Sequence, residues 1–167
     1  MKIFLDLDGV LANFNLQLNT YMKNLGLEAY KEPNQSWAEF ESKNQISIFT
    51  LLYSKLSKAE ILTFWATIPA YSWNRKITEL YKDHKIEVLT ALPKPQQGFQ
   101  DECKFGKLYW VETNLPGIKT NLCYREEKKL FATEDSLLID DYERNVKDFI
   151  KAGGNAILFK NFESLRK

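Results

Sequence analysis

The sequence predicts an α/β domain built on a mostly parallel sheet. Three observations lead there: five short aliphatic runs, helical patterns between the later runs, and acidic side chains where the runs end. The runs are KIFLDLD (2–8), KIEVLT (85–90), KTNLCY (119–124), SLLIDD (136–141) and NAILF (155–159). Their cores FLDL, EVLT, LLID and AILF are dense in aliphatics rather than alternating, which suits strands covered on both faces.

One helical pattern precedes the second run, and others follow the second and the fourth. SWNRKITELYKDHK (72–85) carries Trp73, Ile77, Leu80 and Tyr81 at helical spacing. FQDECKFGKLYWVETN (99–114) is apolar at Phe105, Leu108, Tyr109 and Val111, and YERNVKDFIKAGG (142–154) ends in a glycine pair suited to a C-cap. Strand and helix in alternation argue for a parallel sheet with crossover helices. Residues 14–71 break the alternation. NFNLQLNTYMKNLG, SWAEFESKN and SIFTLLYSKLSKAEILTFW read as helical, with no strand among them, so the expectation is a helical subdomain inserted after the first strand.

At 167 residues the chain is expected to form one domain with that insert. The 23 basic and 22 acidic side chains nearly cancel, so a protein that grips duplex DNA by neutralising phosphates does not fit. Cys103 and Cys123 have no metal-type spacing and read as reduced thiols. No apolar run reaches the ~20 residues that span a bilayer, and no signal peptide precedes the first strand. The expectation is a soluble, cytoplasmic protein, monomer or homodimer.

IFLDLDGV (3–10) is the feature that needs an explanation. A buried carboxylate costs several kcal/mol unless its charge is offset. In an open parallel sheet the functional crevice lies at the carboxyl ends of the strands. Asp6 and Asp8 end the first strand, Thr90 the second, and Asp140 with Asp141 the fourth. Oxygen ligands converging there suit a hard divalent cation such as Mg²⁺.

Those same residues carry a resemblance. Asp6-Leu7-Asp8-Gly9-Val10 resembles motif I of the haloacid dehalogenase superfamily, Leu89-Thr90 its motif II, and Leu138-Ile139-Asp140-Asp141 its motif IV. DLDGVLANF (6–14), KLYWVE (107–112) and AILF (156–159) are similar to the 5′(3′)-deoxyribonucleotidase branch.

The resemblance implies a Rossmann-like three-layer core, 1–13 with 72–167, and a helical cap, 14–71. It implies a Mg²⁺-dependent phosphomonoesterase acting on nucleoside monophosphates through an aspartyl-phosphate. Asp6 would be the nucleophile and Asp8 the acid and base, with Asp6, Asp8, Asp140 and Asp141 about the metal. Thr90, Ala91 and Lys107 would meet the phosphate, Phe14 the base. Alternatives remain: another small phosphomonoester, a polynucleotide end, or an inactive binding relative. Where the branch carries Thr-Ser-Pro at motif II, this chain has Thr90-Ala91-Leu92-Pro93. Arg125, Lys128 and Lys129 compete with Lys107 for the phosphate, although Glu126-Glu127-Lys128-Lys129 otherwise reads as a surface turn. Trp37, Phe40, Phe64, Trp65 and Trp73 read as core, and His84 as a solvated helix end.

Overall fold

The aliphatic runs form a five-stranded sheet in a computed structural model that describes residues 1–165 apart from Lys31 and Pro33. The strands are β1 (Lys2–Leu5), β2 (Lys85–Ala91), β3 (Lys119–Cys123), β4 (Ser136–Asp140) and β5 (Asn155–Leu158), in the order β3-β2-β1-β4-β5, and every pairing is parallel. The chain moves outward from β1 through β2 to β3, then returns to the other side of β1 for β4 and β5. That reversal is the switch point at which open α/β sheets form their crevice. β1 is shorter than its apolar run suggested, because the backbone leaves the sheet after Leu5 and turns at residues 9–11.

Helices cover both faces. On one lie α5 (Asn74–Leu80), α6 (Gln100–Asn114) and the inserted helices α1 (Phe14–Asn24), α2 (Trp37–Asn44), α3 (Ile48–Tyr53) and α4 (Lys58–Ala66). On the other lie α7 (Glu143–Lys151) and a 3₁₀ turn, Arg125–Phe131, over a smaller cluster of Phe4, Leu89, Leu138 and Phe149. The result is a three-layer α/β sandwich of the Rossmann type. Among the described residues no helix is long and apolar enough to cross a membrane.

The stretch 47–65 is not one helix, as its apolar content suggested, but two. Ser57 ends the link between them by accepting from the Glu60 N–H while Glu60 accepts from the Ser57 N–H, a capping box that starts α4 anew. Ser36 and Glu39 start α2 in the same way.

The insert leaves and rejoins the sheet through one narrow neck. Asn13 donates to the Pro69 carbonyl at 2.7 Å and Tyr71 to the Leu11 carbonyl at 3.0 Å. Beyond the neck its apolar face joins that of the sheet in one cluster, which runs from Leu5 and Val88 through Phe64 and Trp65 to Trp110. Trp37, Phe40, Phe64 and Trp65 are buried there, while Trp73 is partly exposed and donates to the Val10 carbonyl at 2.9 Å. α4 and α6 cross at Gly106, where a Cβ would stand 2.5 Å from the Trp65 Cβ and 2.9 Å from the Leu62 carbonyl. Cys103 and Cys123 are both buried and free. His84 is exposed.

Candidate active site

Asp6 and Asp8 sit on the loop that leaves β1, at the switch point, beside the end of β4. Gly9 makes their approach to β4 possible. Its φ of +85° is one that side chains rarely adopt, and a Cβ there would stand 2.0 Å from an Asp141 oxygen. One carboxylate oxygen from each of Asp6, Asp140 and Asp141 can be drawn from a cluster in which all lie within 4.8 Å of one another.

Two lysines enter this acidic group from opposite faces of the sheet. Lys107, on α6, is 1% exposed and donates to Asp8 at 2.6 Å, to the Thr90 hydroxyl at 2.9 Å and to the Ala91 carbonyl at 2.7 Å. Its ammonium also lies 4.8 Å from the centre of the Trp65 ring. Lys128, on the 3₁₀ turn, is 2% exposed and bridges Asp6 and Asp140 at 2.7 Å each. The Glu126–Lys129 segment is therefore a surface turn only in part, since Lys128 turns inward while Lys129 stays exposed. Lys107 and Lys128 both reach the floor of the same site.

The two neighbouring aspartates of β4 differ. Asp140 has no exposed surface and is saturated by Lys128, the Tyr142 N–H and the Asn145 amide. Asp141 lines the cleft. Burial, opposed by Lys128 but joined by Asp140, Asp8 and Asp141, pushes the Asp6 carboxyl up to about 8. Burial and then the Asp140 and Asp8 charges push Asp141 up to about 6. Both lysines are held above the ordinary ammonium value, their burial outweighed by Asp8 for Lys107 and by Asp6 and Asp140 for Lys128. Negative charge is in excess, and one buried oxygen of Asp8 has no hydrogen-bond partner. A hard divalent cation is the group that such an oxygen-rich cluster accepts, so the residues present fit magnesium.

Above this floor opens a cleft of about 440 Å³, a size that suits a small molecule. Asp6, Asp8, Ala91, Lys107, Lys128 and Asp141 line its floor. Thr90 has no exposed surface and stands behind Lys107, as a support rather than a wall. Phe14 lines the wall, stacked on Trp65 with ring centres 5.7 Å apart. Arg125 lies at the rim, its guanidinium 4.7 Å from the centre of the Tyr142 ring.

Sequence reasoning missed Phe49, Glu41, Gln97 and Asn145. Asn145 alone had a local signal, because it falls in the first turn of α7 just after the Asp140-Asp141 pair.

Comparison with known proteins agrees with this fold. No curated protein matches the chain. A HAD family enzyme of Bacteroides thetaiotaomicron, crystallised as an aspartate-to-alanine variant with magnesium and inorganic phosphate, superposes with a TM-score of 0.59 at 16% identity, over 99% of this chain and 98% of that one. A hydrolase from Streptococcus pneumoniae gives 0.58 at 14% identity, over 99% and 95%. At those identities they speak for the fold alone. The family model for 5′ nucleotidase, deoxy (pyrimidine), cytosolic type C protein (NT5C) matches residues 1–165. The chain belongs to that family of phosphoric monoester hydrolases, within the haloacid dehalogenase superfamily.

Proposed function

We propose that the protein is a magnesium-dependent nucleotidase that removes phosphate from deoxyribonucleoside monophosphates, pyrimidine ones first, through an aspartyl-phosphate. One observation carries this reading: Asp6 with Lys128 and Asp8 with Lys107 share the floor of a single cleft. The family's deoxy, pyrimidine and cytosolic description supports the substrate class and work in the cytoplasm.

An Asp6 oxygen attacks phosphorus in line with the ester oxygen, and the bond to the leaving group breaks as the new one forms. Asp8 gives its proton to the departing alkoxide. A water then attacks the aspartyl-phosphate, Asp8 takes its proton, and the bond to Asp6 breaks to release phosphate. Asp8 suits both steps because Lys107 fixes one of its oxygens at 2.6 Å while the other has no partner. Lys107 and Lys128 offer fixed positive charge to the phosphoryl oxygens, the electrostatic work that dominates this chemistry. Magnesium would be held by Asp6, Asp141 and the Asp8 carbonyl, with Asp140 behind them, and would neutralise phosphoryl charge. Thr90 acts through Lys107. Phe14 and Trp65 form a face on which a base can stack, worth roughly 1–3 kcal/mol.

The insert, 14–71, serves as the cap over a core of 1–13 and 72–167. A cleft of about 440 Å³ suits a mononucleotide better than a polynucleotide end. The test is phosphate release from a panel of nucleoside monophosphates, end-phosphorylated oligonucleotides and sugar phosphates, with and without Mg²⁺. Mononucleotides should lead, and Asp6→Asn should lower turnover by about a thousandfold or more. A folded, magnesium-loaded protein that is silent on the whole panel overturns the reading.

A further inference from the structure

Trp65, on α4, joins the wall of the cleft to its floor. Its ring is stacked on Phe14 and Phe49, with centres 5.7 and 5.8 Å away, and its centre lies 4.8 Å from the Lys107 ammonium. Ring and ammonium are both buried. Little water screens the attraction between them, so it is stronger than at a surface.

Lys107 has no donor to spare. An ammonium carries three N–H groups. Here they go to Asp8 at 2.6 Å, the Thr90 hydroxyl at 2.9 Å and the Ala91 carbonyl at 2.7 Å. The bond to Asp8 fixes one oxygen of the proposed acid, so the place of the ammonium decides where the other, unpartnered oxygen points.

The indole is held in turn. Its N–H donates to the Tyr53 hydroxyl, on α3, at 3.0 Å, and both side chains are buried. An indole has a single N–H, and a buried one without an acceptor is costly. Turning the ring over breaks that bond, so Tyr53 fixes the orientation in which the ring meets Lys107.

We infer that Trp65 is a positioning residue for Lys107, and Tyr53 for Trp65, so that the insert aims Asp8 through these three side chains. Tyr53 and Trp65 act on the proton transfer only through Lys107. The inference rests on the nucleotidase reading, and within it on Asp8 as the acid.

The experiment compares 4-nitrobenzyl phosphate with 4-nitrophenyl phosphate, which differ by one methylene, in the wild type and in Tyr53→Phe. As the bond to phosphorus breaks, the benzyl alkoxide needs the Asp8 proton, whereas 4-nitrophenolate leaves as an anion. The readout is kcat/KM, which ends at the aspartyl-phosphate. Tyr53→Phe should lower it for the benzyl ester about tenfold more than for the phenyl ester, because a general acid supplies about 10²–10⁴-fold and a small misplacement forfeits part of that. A cleft that is merely loosened loses both esters alike. Trp65→Phe and Trp65→Leu carry the same test on a second side chain. Benzyl over phenyl turnover should fall in the order Trp, Phe, Leu as the ring face weakens and then disappears.

Equal losses on the two esters, or none on either, overturn the positioning role and leave the nucleotidase reading standing. Turnover of both esters with no nucleotide cleaved overturns the substrate reading alone. A folded, magnesium-loaded wild type that cleaves no alkyl ester overturns both.

Discussion

The Lys128 ammonium stands 2.7 Å from a carboxylate oxygen of Asp140, on a side chain with no exposed surface. The same nitrogen holds Asp6 at 2.7 Å, so a single cation ties the proposed nucleophile to the end of β4. Breaking a buried pair by deleting one partner costs about 3–5 kcal/mol, because the surviving charge stays buried. Lys128→Met should therefore lower the urea unfolding free energy of the metal-free protein by about that amount. Added Mg²⁺ should raise its melting temperature more than it raises that of the wild type.

Asp140 and Asp141 should separate cleanly by mutation. Asp140→Asn turns an amide toward three donors and should destabilise the fold by about 3 kcal/mol, read by thermal or urea unfolding. Asp141→Asn removes a charge that the fold holds at a cost. The Asp141 carboxyl rises from 3.8 to about 6, so the folded state binds its proton more tightly than the unfolded chain, and stability is lost as pH rises from about 3.8 through about 6, the full cost being present at pH 7. Metal-free Asp141→Asn should be as stable as the wild type or more so at pH 7. Its Mg²⁺ affinity, by titration calorimetry, should fall more than tenfold.

Gly106→Ala places a methyl group against Trp65 at the α4–α6 crossing. The nearest obstacles include backbone, so the helices must move apart, at about 1–3 kcal/mol. Lys107 is the next residue and its ammonium lies over the Trp65 ring. Thermal unfolding should show the loss of stability, and kcat should fall with it as Lys107 shifts.

Glu87, at the opposite end of the sheet from the cleft, gives a pH signature. Burial works to raise its carboxyl, but the Asn121 amide and the Lys85, Lys2 and Lys119 ammoniums prevail and hold it below its ordinary value. A lowered carboxyl contributes stability above the unfolded value of 4.5 that is lost as pH falls through the folded one. Glu87→Gln should cost roughly 1–3 kcal/mol at pH 7. Urea midpoints taken down the pH scale should show that gap closing below about pH 4.5.

The sheet and the aspartates were legible for one reason. Dense aliphatic runs mark strands buried on both faces, and a carboxylate ending such a run has nowhere to go but the crevice. Asp6 and Asp140 stood out on that ground alone. Lys128 entered only as one of three rivals to Lys107, because EEKK has the composition of a solvated turn. Its only local signal is the 3₁₀ spacing to Phe131: residues three apart eclipse on such a helix, and Phe131 packs against Phe4. The break before α4 was also readable, in Ser57 and Glu60, but the apolar run through Phe49 and Trp65 masked it. Phe49 and Glu41 had no signal, since which helix residues meet a cleft depends on how the insert seats on the sheet.

The loop after β2 is tied to the insert twice, by Gln97 on Ser47 and by the Phe99 ring against Tyr53. Leu92 and Pro93, on the same loop, wall the cleft beside Ala91. Any displacement of α3 would therefore pull on the strap that walls the cleft beside Ala91. Opening the aromatic wall and reshaping the floor beneath it are, in this architecture, a single mechanical act.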